Sequence, residues 1–304
     1  TRPETLLGDT AIAVNPNDQR YKDLIGKTAK LPLVGRTIPI IADEMVDPEF
    51  GTGCVKITPA HDLNDYQVGI KHNLEMINIM NADSSISDKA PEKYRGMSRE
   101  KARKQIVSDL IEINHLIKEE NYLHKVGFSE RGNVPIEYYL SEQWFLKMED
   151  LAKPAINAVK KNEINFYPNH WVKTYNHWME NIQDWCISRQ LYWGHQIPVW
   201  YKKNADRTDP KNWFVSSSSP DDINNWEQDP DVLDTWFSSW LWPFAVHGWP
   251  ENDSTVYYPT NTLVTGPDII FFWVARMIIA GFEFMNEKPF TDVYFTSILR
   301  DEQG

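Results

Sequence analysis

Residues 262–297 read TLVTGPDIIFFWVARMIIAGFEFMNEKPFTDVYFTS. The run 262–265 is typical of a strand, and Gly266 follows it directly. Residues 268–284 then have the pattern of a helix, and 293–297 is a second strand-like run. A strand, a glycine-containing loop, a helix and a strand predict a βαβ unit, the building block of a parallel nucleotide-binding sheet. This stretch therefore places the chain in the α/β class.

Tryptophan marks a boundary along the chain. All 13 tryptophans lie between Trp144 and Trp273, whereas residues 1–143 contain none. Two regions that differ so much in aromatic content are expected to have separate cores, and 304 residues suffice for two domains. We predict one domain over residues 1–143 and a second over 144–304, with a variable polar insertion at about 202–230.

Apolar spacing predicts the main elements on both sides of that boundary. Helical spacing with Ser98 as a cap predicts one helix, and the tryptophan-rich face predicts another in the second region. Strands are predicted at 10–14, 38–41, 54–57 and 134–140, and helices at 60–72, 98–114, 144–160 and 171–186.

Charge and cysteine content restrict the class of protein. There are 31 basic and 43 acidic side chains, a net charge of −12, so any contact with a polynucleotide must be local. Cys54 and Cys186 are not in a CxxC pair, which gives no support for a disulfide framework or a zinc site and favours a reducing, cytoplasmic compartment. The apolar run 269–275 is too short to span a membrane.

The first candidate site lies in residues 51–65, which read GTGCVKITPAHDLND. Lys56 and Thr58 alternate with apolar residues, so on a strand both side chains project to one face. Asp62 and Asp65 are three apart, and are therefore neighbours on a helix. An ammonium, a hydroxyl and two carboxylates together suit a ligand with an amine and a polar acyl group, such as an aminoacyl ester.

Other interpretations of this motif remain open. His61, Asp62 and Asp65 could be metal ligands, but adjacent residues on one helical turn point apart and no second cluster completes a site. Asp62 could serve only as a helix cap. Near the start of the chain, Arg2 and Thr5 flank a proline and could donate hydrogen bonds to a phosphate or an ester, although an ordinary turn explains them as well.

Aromatic strings in the second region carry further candidates. Residues 184–200 read DWCISRQLYWGHQIPVW, and residues 234–240 read DTWFSSW. Trp236 and Trp273 could wall a small apolar pocket, and Asp268 lies where a parallel sheet would bind the hydroxyls of a ribose. A buried aromatic core explains most of these rings equally well, and a sugar-binding surface is a third interpretation.

These strings, together with TRPET at the start, resemble the valyl-tRNA synthetase family of the class I aminoacyl-tRNA synthetases. The resemblance covers almost the whole chain, and isoleucyl-tRNA synthetase is the nearest alternative. It implies a β-rich editing domain over 1–143, a barrel with helices that is truncated at its N-terminus, and the second part of a Rossmann-like catalytic domain over 144–304.

The resemblance implies two activities in an intact enzyme. One activates valine with ATP and Mg and charges the tRNA for valine; the other hydrolyses threonine wrongly attached to that tRNA. Threonine differs from valine by a hydroxyl in place of a methyl, and an apolar pocket rejects such an isostere only weakly, a problem for which valyl-tRNA synthetase is itself the standard example. A monomer that binds the 3′ end of tRNA in its editing pocket is expected.

Family positions carry over onto this chain residue by residue. Asp62 would pair with the α-amino group, and positioned water, rather than a protein nucleophile, would attack the ester. Asp268 would contact the ribose of ATP. The editing pocket would comprise Arg2, Thr5, Phe50, Lys56, Thr58, Asp62 and Asp65, and the amino-acid pocket Trp236, Ile269 and Trp273.

The sequence departs from the family pattern at several points. The His-Ile-Gly-His and Lys-Met-Ser-Lys-Ser signatures do not occur, so we expect this chain alone to be inactive in aminoacylation and to hold no bound cofactor. Residues 202–230 have none of the cysteines that hold zinc in many relatives, and Tyr138 replaces a usual proline. A carbohydrate-binding protein and a non-catalytic RNA-binding module are the alternatives outside the synthetases.

Overall fold

The computed structural model describes residues 1–130, 132–251 and 256–302. The chain divides into two compact units, Thr1–Ser141 and Glu142–Gly304, which we call the N-terminal unit and the C-terminal unit. Each unit buries its own apolar clusters.

A four-stranded mixed sheet forms the centre of the N-terminal unit. Its strands are β1 (Ala11–Val14), β2 (Thr28–Lys30), β3 (Thr37–Ala42) and β4 (Cys54–Ile57). They lie in the order β2-β3-β1-β4, with β1 parallel to β3 and antiparallel to β4. Ile12 of β1 therefore lies between Ile40 and Lys56. The strands predicted at 10–14, 38–41 and 54–57 are confirmed.

This sheet is open. Its edge strands, β2 and β4, do not pair with each other, so the described residues form no closed barrel. Closure requires every strand to be paired on both sides, and small barrels typically use about eight strands. Four strands of three to six residues are too few to curl round an interior. The mixed α/β class is confirmed, and the closed barrel expected in this unit is absent from the described part of the chain.

Two α-helices follow the sheet in the chain, α1 (Leu63–Lys71) and α2 (Arg99–Glu112). Asp62 caps α1 by accepting hydrogen bonds from the backbone N–H groups of Asn64 and Asp65. Ser98 caps α2 by accepting from the N–H of Lys101, as its position before the helix predicts. Both predicted helices are present, each slightly shorter than its apolar pattern.

The strand predicted at 134–140 does not form. Among the described residues this segment makes only an isolated antiparallel bridge, between Phe128 and Pro135. Proline has no N–H with which to continue a ladder. The side chain of Glu137 instead forms ion pairs with Arg2 and Arg99.

The C-terminal unit contains ten short strands and five α-helices among its described residues. They are β5 (Phe145–Leu146), α3 (Glu149–Lys160), β6 (Asn165–Tyr167), α4 (Trp171–Glu180), β7 (Trp185–Cys186), β8 (Ser188–Arg189), β9 (Val199–Lys202), β10 (Trp213–Val215), β11 (Trp226–Gln228), β12 (Val232–Leu233), α5 (Thr235–Ser239), α6 (Trp242–Ala245), β13 (Thr260–Thr265), α7 (Arg276–Met285) and β14 (Phe290–Phe295). A π-helical turn, Ile270–Ala275, precedes α7.

A parallel sheet of β13, β14 and β6 lies at the core of this unit. Val264 is opposite Tyr294, and Tyr294 is opposite Tyr167. The chain leaves β13, passes through the π-helical turn and α7, and returns as β14, the parallel neighbour of β13. Val274 and Ile278 on the crossover are fully buried. The predicted βαβ unit is confirmed.

The helix predicted to run to residue 186 ends earlier, with α4 at Glu180. Trp185 lies instead in β7, opposite Leu146 of β5. Its indole Nε1 donates to Asp234 at 2.9 Å. Tertiary pairing and this hydrogen bond therefore override the helical spacing of the tryptophans.

The polar insertion contains structure of its own. Strands β10 and β11 flank β9 in an antiparallel sheet. The buried carboxylate of Asp229 accepts hydrogen bonds from the indole of Trp144 at 2.8 Å and the hydroxyl of Tyr201 at 2.6 Å. These hydrogen bonds to a buried carboxylate therefore attach the insertion to the rest of the unit.

Candidate functional site

Lys56 lies at the centre of a polar cluster in the N-terminal unit. Its Nζ donates to Thr5 Oγ1 at 2.7 Å, to Thr58 Oγ1 at 2.5 Å and to Asp9 Oδ1 at 3.0 Å. The Lys56 side chain keeps 23% of its surface exposed, whereas that of Asp9 keeps only 3%. The ammonium is therefore held by two segments of the chain, one with Thr5 and Asp9 and one with Thr58.

Local structure explains why these side chains converge. Lys56 lies on β4 beside Ile57, which is fully buried, so strand alternation turns the lysine to the opposite face. Thr5 lies on a 3₁₀ helix, Pro3–Gly8, that leads directly into Asp9. The N–H of Thr10 donates to the carbonyl of Ile57 at 2.9 Å, which holds the chain around Asp9 against the end of β4.

The surroundings of Asp9 shift its pKa in opposite directions. Burial raises the pKa of Asp9, although the charge of Lys56 and the hydroxyl of Thr58 oppose that effect. Thr58 Oγ1 donates to Asp9 Oδ1 at 2.5 Å. The backbone carbonyl of Asp9 also accepts from Arg36 at 2.7 Å, which fixes the main chain there.

Asp65 joins the cluster from the first turn of α1. Its Oδ2 accepts from the backbone N–H of Thr58 at 2.8 Å, and only 8% of the residue is exposed. Burial raises the pKa of Asp65 to about 6, and the charge of Asp62 adds to the shift. A carboxyl group with such a pKa can exchange a proton near neutral pH.

Asp62 is both a helix cap and a neighbour of this group. Its Oδ1 accepts from the N–H groups of Asn64 at 2.8 Å and Asp65 at 3.1 Å. The residue is half-buried. Among the described residues no hydrogen bond is made by its second oxygen, Oδ2, so that atom can accept a donor from a ligand.

Arg2 is held by acidic partners. Its guanidinium donates to Glu4 at 3.0 Å, to Glu137 at 2.6 Å and to the carbonyl of His61 at 3.4 Å. Glu4 is fully buried and also accepts two hydrogen bonds from Arg103. The Arg2 charge is therefore compensated within the protein, and its backbone carbonyl accepts the Thr5 hydroxyl at 3.0 Å.

His61 is a buried neutral side chain. Burial lowers its pKa to about 4, and its Nε2 accepts the backbone N–H of Ile79 at 3.0 Å. Nε2 is therefore not available to a metal ion. No three His, Cys, Asp or Glu side chains are grouped so as to hold a metal ion in the described parts of the chain.

Phe50 lies apart from the polar cluster. It is 63% exposed, and its ring contacts Tyr122 edge to face with centroids 6.0 Å apart. Of the seven carried-over positions, the structure therefore links Arg2, Thr5, Lys56, Thr58, Asp62 and Asp65 through hydrogen bonds, and leaves Phe50 outside that chain of contacts.

Sequence reasoning missed Asp9, Glu137 and Tyr122. Asp9 follows the TRPETLLG segment and looks like an ordinary turn residue. Only the antiparallel pairing of β1 with β4 brings it beside Thr58. A hairpin-like register between residues 11–14 and 54–57 would have been the signal, since it places the residues just outside each strand together.

The candidate residues of the C-terminal unit lie where α5 meets the π-helical turn. Trp236 stacks on Phe272 with ring centroids 5.8 Å apart, and Trp273 Nε1 donates to the carbonyl of Ser239 at 2.9 Å. Asp268 is exposed after the end of β13. Ile269 is partly buried and precedes the turn directly.

The chain matches the model of a known protein family. A family model described as class I tRNA synthetases (I, L, M and V) matches residues 18–304. This chain belongs to that family. No helix in the described parts of this class I synthetase chain is both long and apolar enough to cross a membrane.

Curated relatives narrow the similarity to one member of the family. The synthetase chain is 56% identical to the valine–tRNA ligase of Chlorobaculum tepidum and 57% identical to that of Bacillus licheniformis, over its whole length in both cases. It covers 34% of each of these relatives, so the chain spans about a third of their length. The resemblance to valyl-tRNA synthetases is confirmed, and the isoleucyl and carbohydrate-binding alternatives are not favoured.

A solved leucyl-tRNA synthetase from Agrobacterium radiobacter K84, in a ternary complex with tRNA, aligns with the whole chain and with 38% of its own length. The identity is 16% and the TM-score 0.35. That score is too low for a comparison of backbone detail.

Proposed function

We propose that the N-terminal unit is a proofreading site that hydrolyses threonine wrongly attached to the tRNA for valine. The observation that carries this proposal is the hydrogen-bonded group of Thr5, Lys56, Thr58, Asp62 and Asp65. It combines carboxylates for an ammonium with hydroxyl oxygens for a polar acyl side chain. Lys56 and Asp62 are partly exposed, whereas Thr5, Thr58 and Asp65 are buried.

The proposed reaction is attack of water on the ester. The water oxygen bonds to the ester carbon, the bond from that carbon to the ribose oxygen breaks, and a proton passes from the water to the ribose oxygen. Asp65 is suited to carry that proton, because its pKa lies near 6 and its Oδ1 makes no hydrogen bond among the described residues. Asp62 Oδ2 would accept the α-ammonium group.

Arg2 and Thr5 would border the terminal adenosine in this arrangement. Arg2 reaches the site chiefly through its backbone, because its guanidinium is bound to Glu4 and Glu137. Phe50 and Tyr122 would lie at the rim, where exposed rings can stack on a base.

We further propose that the full-length protein activates valine with ATP and Mg and charges the tRNA for valine. Trp236, Ile269 and Trp273 would line the valine pocket, and Asp268 would contact the ribose. The identity to valine–tRNA ligases over the whole chain supports this proposal. The full-length protein is expected to be a cytoplasmic monomer, and the 304-residue chain by itself is expected not to activate valine.

Deacylation by the full-length protein tests the editing proposal. The tRNA for valine is charged with threonine, and its hydrolysis is followed with the wild type, with Asp62→Ala and with Asp88→Ala. Asp88 is exposed in a loop of the same unit and provides the control. We expect Asp62→Ala to slow hydrolysis by about 10–100-fold, the value of one hydrogen-bonded charge.

The folding of Asp62→Ala and the two hydrolysis rates decide how the result is interpreted. Loss of a helix cap costs about 1 kcal/mol, so circular dichroism verifies that Asp62→Ala is folded at the assay temperature. An unchanged rate in the folded variant removes Asp62 from its role. A wild type that does not hydrolyse the threonyl ester overturns the proposal itself.

A further inference from the structure

Arg276 is a buried cation next to the candidate amino-acid pocket, and the proposed reactions give it no role. It begins α7 directly after the π-helical turn Ile270–Ala275. Only 6% of the residue is exposed, and its guanidinium carbon lies 3.7 Å from the centroid of the Trp185 ring. Its influence on a bound amino acid is therefore expected to pass through the side chains and the backbone that surround it.

The charge of Arg276 is not neutralised by an ion pair of its own. Burial lowers the pKa of Arg276 to about 10, while the charge of Asp234 opposes that shift, so the side chain is a cation at neutral pH. Asp234 pairs with Arg189 at 2.9 Å, and among the described residues Arg276 forms no ion pair with a carboxylate. An apolar side chain of similar length would be buried there at lower cost. Packing alone therefore does not explain the arginine.

A hydrogen bond to the backbone distinguishes Arg276 from an apolar residue. In an α-helix the carbonyl of Phe272 accepts from the N–H four residues later, which is that of Arg276. Here that N–H donates instead to the carbonyl of Trp273. The side chain of Arg276 supplies the bond to Phe272, since its Nη1 donates to that carbonyl at 3.2 Å. The guanidinium therefore stabilises the π-helical turn relative to a continuous α-helix.

The π-helical turn determines where the candidate pocket residues lie. Ile269 directly precedes the turn, and Trp273 is part of it. Trp273 Nε1 donates to the carbonyl of Ser239 on α5, and Phe272 stacks on Trp236. An α-helix is wound more tightly than a π-helical turn, because its hydrogen bonds span four residues rather than five. A change from one to the other would rotate Ile269 and Trp273 relative to α7.

We propose that Arg276 is a positioning residue that holds the π-helical turn, so that Ile269 and Trp273 form a close-fitting wall of the amino-acid pocket. The inference rests on the proposed activation of valine and adds a source of its size selectivity. Without the guanidinium the turn can shift towards the α-helical form, and the wall recedes. An apolar pocket discriminates against one extra methylene by only about 10–200-fold, so a small displacement of the wall is enough to weaken that discrimination.

Arg276→Met and Arg276→Lys test this arrangement in different ways. Methionine fills the space over the Trp185 ring but carries neither charge nor hydrogen-bond donor. Lysine keeps the charge, but its compact ammonium cannot stack on the indole as a planar guanidinium does. A purely structural role of Arg276 predicts lower stability with unchanged selectivity. The informative quantity is therefore a ratio of two amino acids rather than a single rate.

ATP–pyrophosphate exchange by the full-length protein is measured with valine and with isoleucine, which is one methylene larger. We expect the ratio of the two values of kcat/KM, valine over isoleucine, to fall by about tenfold in Arg276→Met and by about threefold or more in Arg276→Lys. The KM for ATP should stay unchanged. Arg207→Met provides the matched control, because Arg207 also lies over an aromatic ring, that of Tyr201, but is exposed on the insertion.

Thermal unfolding verifies which variants are folded at the assay temperature, and Arg276→Lys is decisive when Arg276→Met does not fold. An unchanged ratio in a folded Arg276 variant overturns the inference, even when both rates fall. An equal fall of the ratio in Arg207→Met also overturns it. A wild type without valine-dependent exchange would instead refute the proposed activation of valine.

Discussion

Asp65 is the residue whose ionisation should control the proposed hydrolysis. Burial raises its pKa to about 6, so the carboxylate fraction grows between about pH 5 and 7. Deacylation of the threonyl ester should therefore rise over that interval with a midpoint near 6. Asp65→Asn should remove this rise and reduce the rate by about 10²–10⁴-fold, as loss of a general base does. Initial rates at a series of pH values provide the test.

Measuring stability distinguishes a catalytic role of Asp65 from a purely structural one. A carboxyl group with a raised pKa contributes stability fully below its unfolded value of 3.8, and that contribution is lost as the pH rises through about 6. Asp65→Asn should therefore unfold no more easily than the wild type at pH 7.5, because the amide oxygen can still accept from Thr58. A variant that is inactive and also clearly destabilised would point to a structural role only.

Glu4 should contribute to stability with the opposite dependence on pH. Burial alone would raise its pKa, but hydrogen bonds from Arg103 and its own backbone, with the charges of Arg2 and Arg103, lower it to about 2. This stability is present above the unfolded pKa of 4.5 and is lost as the pH falls towards 2. Glu4→Gln should cost about 1–3 kcal/mol at pH 7, reduced from the value for a fully buried pair because both arginines are partly exposed.

Urea unfolding at pH 7 and at pH 3 measures this difference, with Glu119→Gln, on an exposed segment, as the control. The gap between wild type and Glu4→Gln should narrow at the lower pH. An equal gap at both values would show that the ion pairs with Arg2 and Arg103 are not its source.

For single residues, the sequence predicts contacts between neighbours along the chain and misses contacts between residues that are far apart in it. The sequence alone predicts that Lys56, Thr58 and Asp65 lie close together, because strand alternation and the i,i+3 spacing of a helix are local rules. Asp9 is 47 residues from Lys56, and their contact depends on strand pairing that no local pattern specifies. The carboxylates that bind the Arg2 guanidinium include Glu137, which is 135 residues away along the chain, so no local pattern specifies this contact either.

Elements show the same division between local pattern and tertiary pairing. The βαβ unit was predictable because a strand, a glycine, a long apolar helix and a strand have few other arrangements. The end of α4 was not, since Trp185 keeps the helical spacing but pairs with Leu146 in a strand. The arrangement of the N-terminal sheet could not be predicted from local patterns either. Those patterns predict individual strands, but they do not show whether the sheet closes into a barrel.

Helix α5 depends on its cap more than on its own length. Five residues are too few for a stable isolated helix. Asp234 accepts from the N–H of Trp236, from the indole of Trp185 at 2.9 Å and from Arg189 at 2.9 Å. Asp234→Asn should lower the free energy of unfolding by about 1–2 kcal/mol and raise the KM for valine by about tenfold, because the turn that carries Trp236 loosens.

ATP–pyrophosphate exchange with the full-length protein measures that KM, and thermal unfolding measures the stability. Asp221→Asn, on the exposed insertion, should change neither. If Asp234→Asn is destabilised but its KM for valine is unchanged, α5 does not contribute to the proposed amino-acid pocket.

Over the whole molecule, the candidate sites of the two units differ in chemical character. The N-terminal unit gathers charged and hydroxyl groups around Lys56, whereas the candidate pocket of the C-terminal unit is built from aromatic rings around Trp236 and Trp273. A polar pocket and an apolar pocket can sort valine from threonine by opposite criteria, the first by a hydroxyl and the second by shape. The net charge of −12 is compatible with this, because only the tRNA end need enter a local site.

The measurement closest to the central claim compares two esters on the wild-type full-length protein. Single-turnover hydrolysis is followed with excess enzyme on tRNA for valine charged with threonine and, separately, with valine. The polar Lys56 site predicts that the threonyl ester is hydrolysed faster by about 100-fold or more, because a hydrogen-bonding site discriminates strongly against a ligand that lacks the matching hydroxyl. Equal rates, or faster loss of valine, would contradict the account.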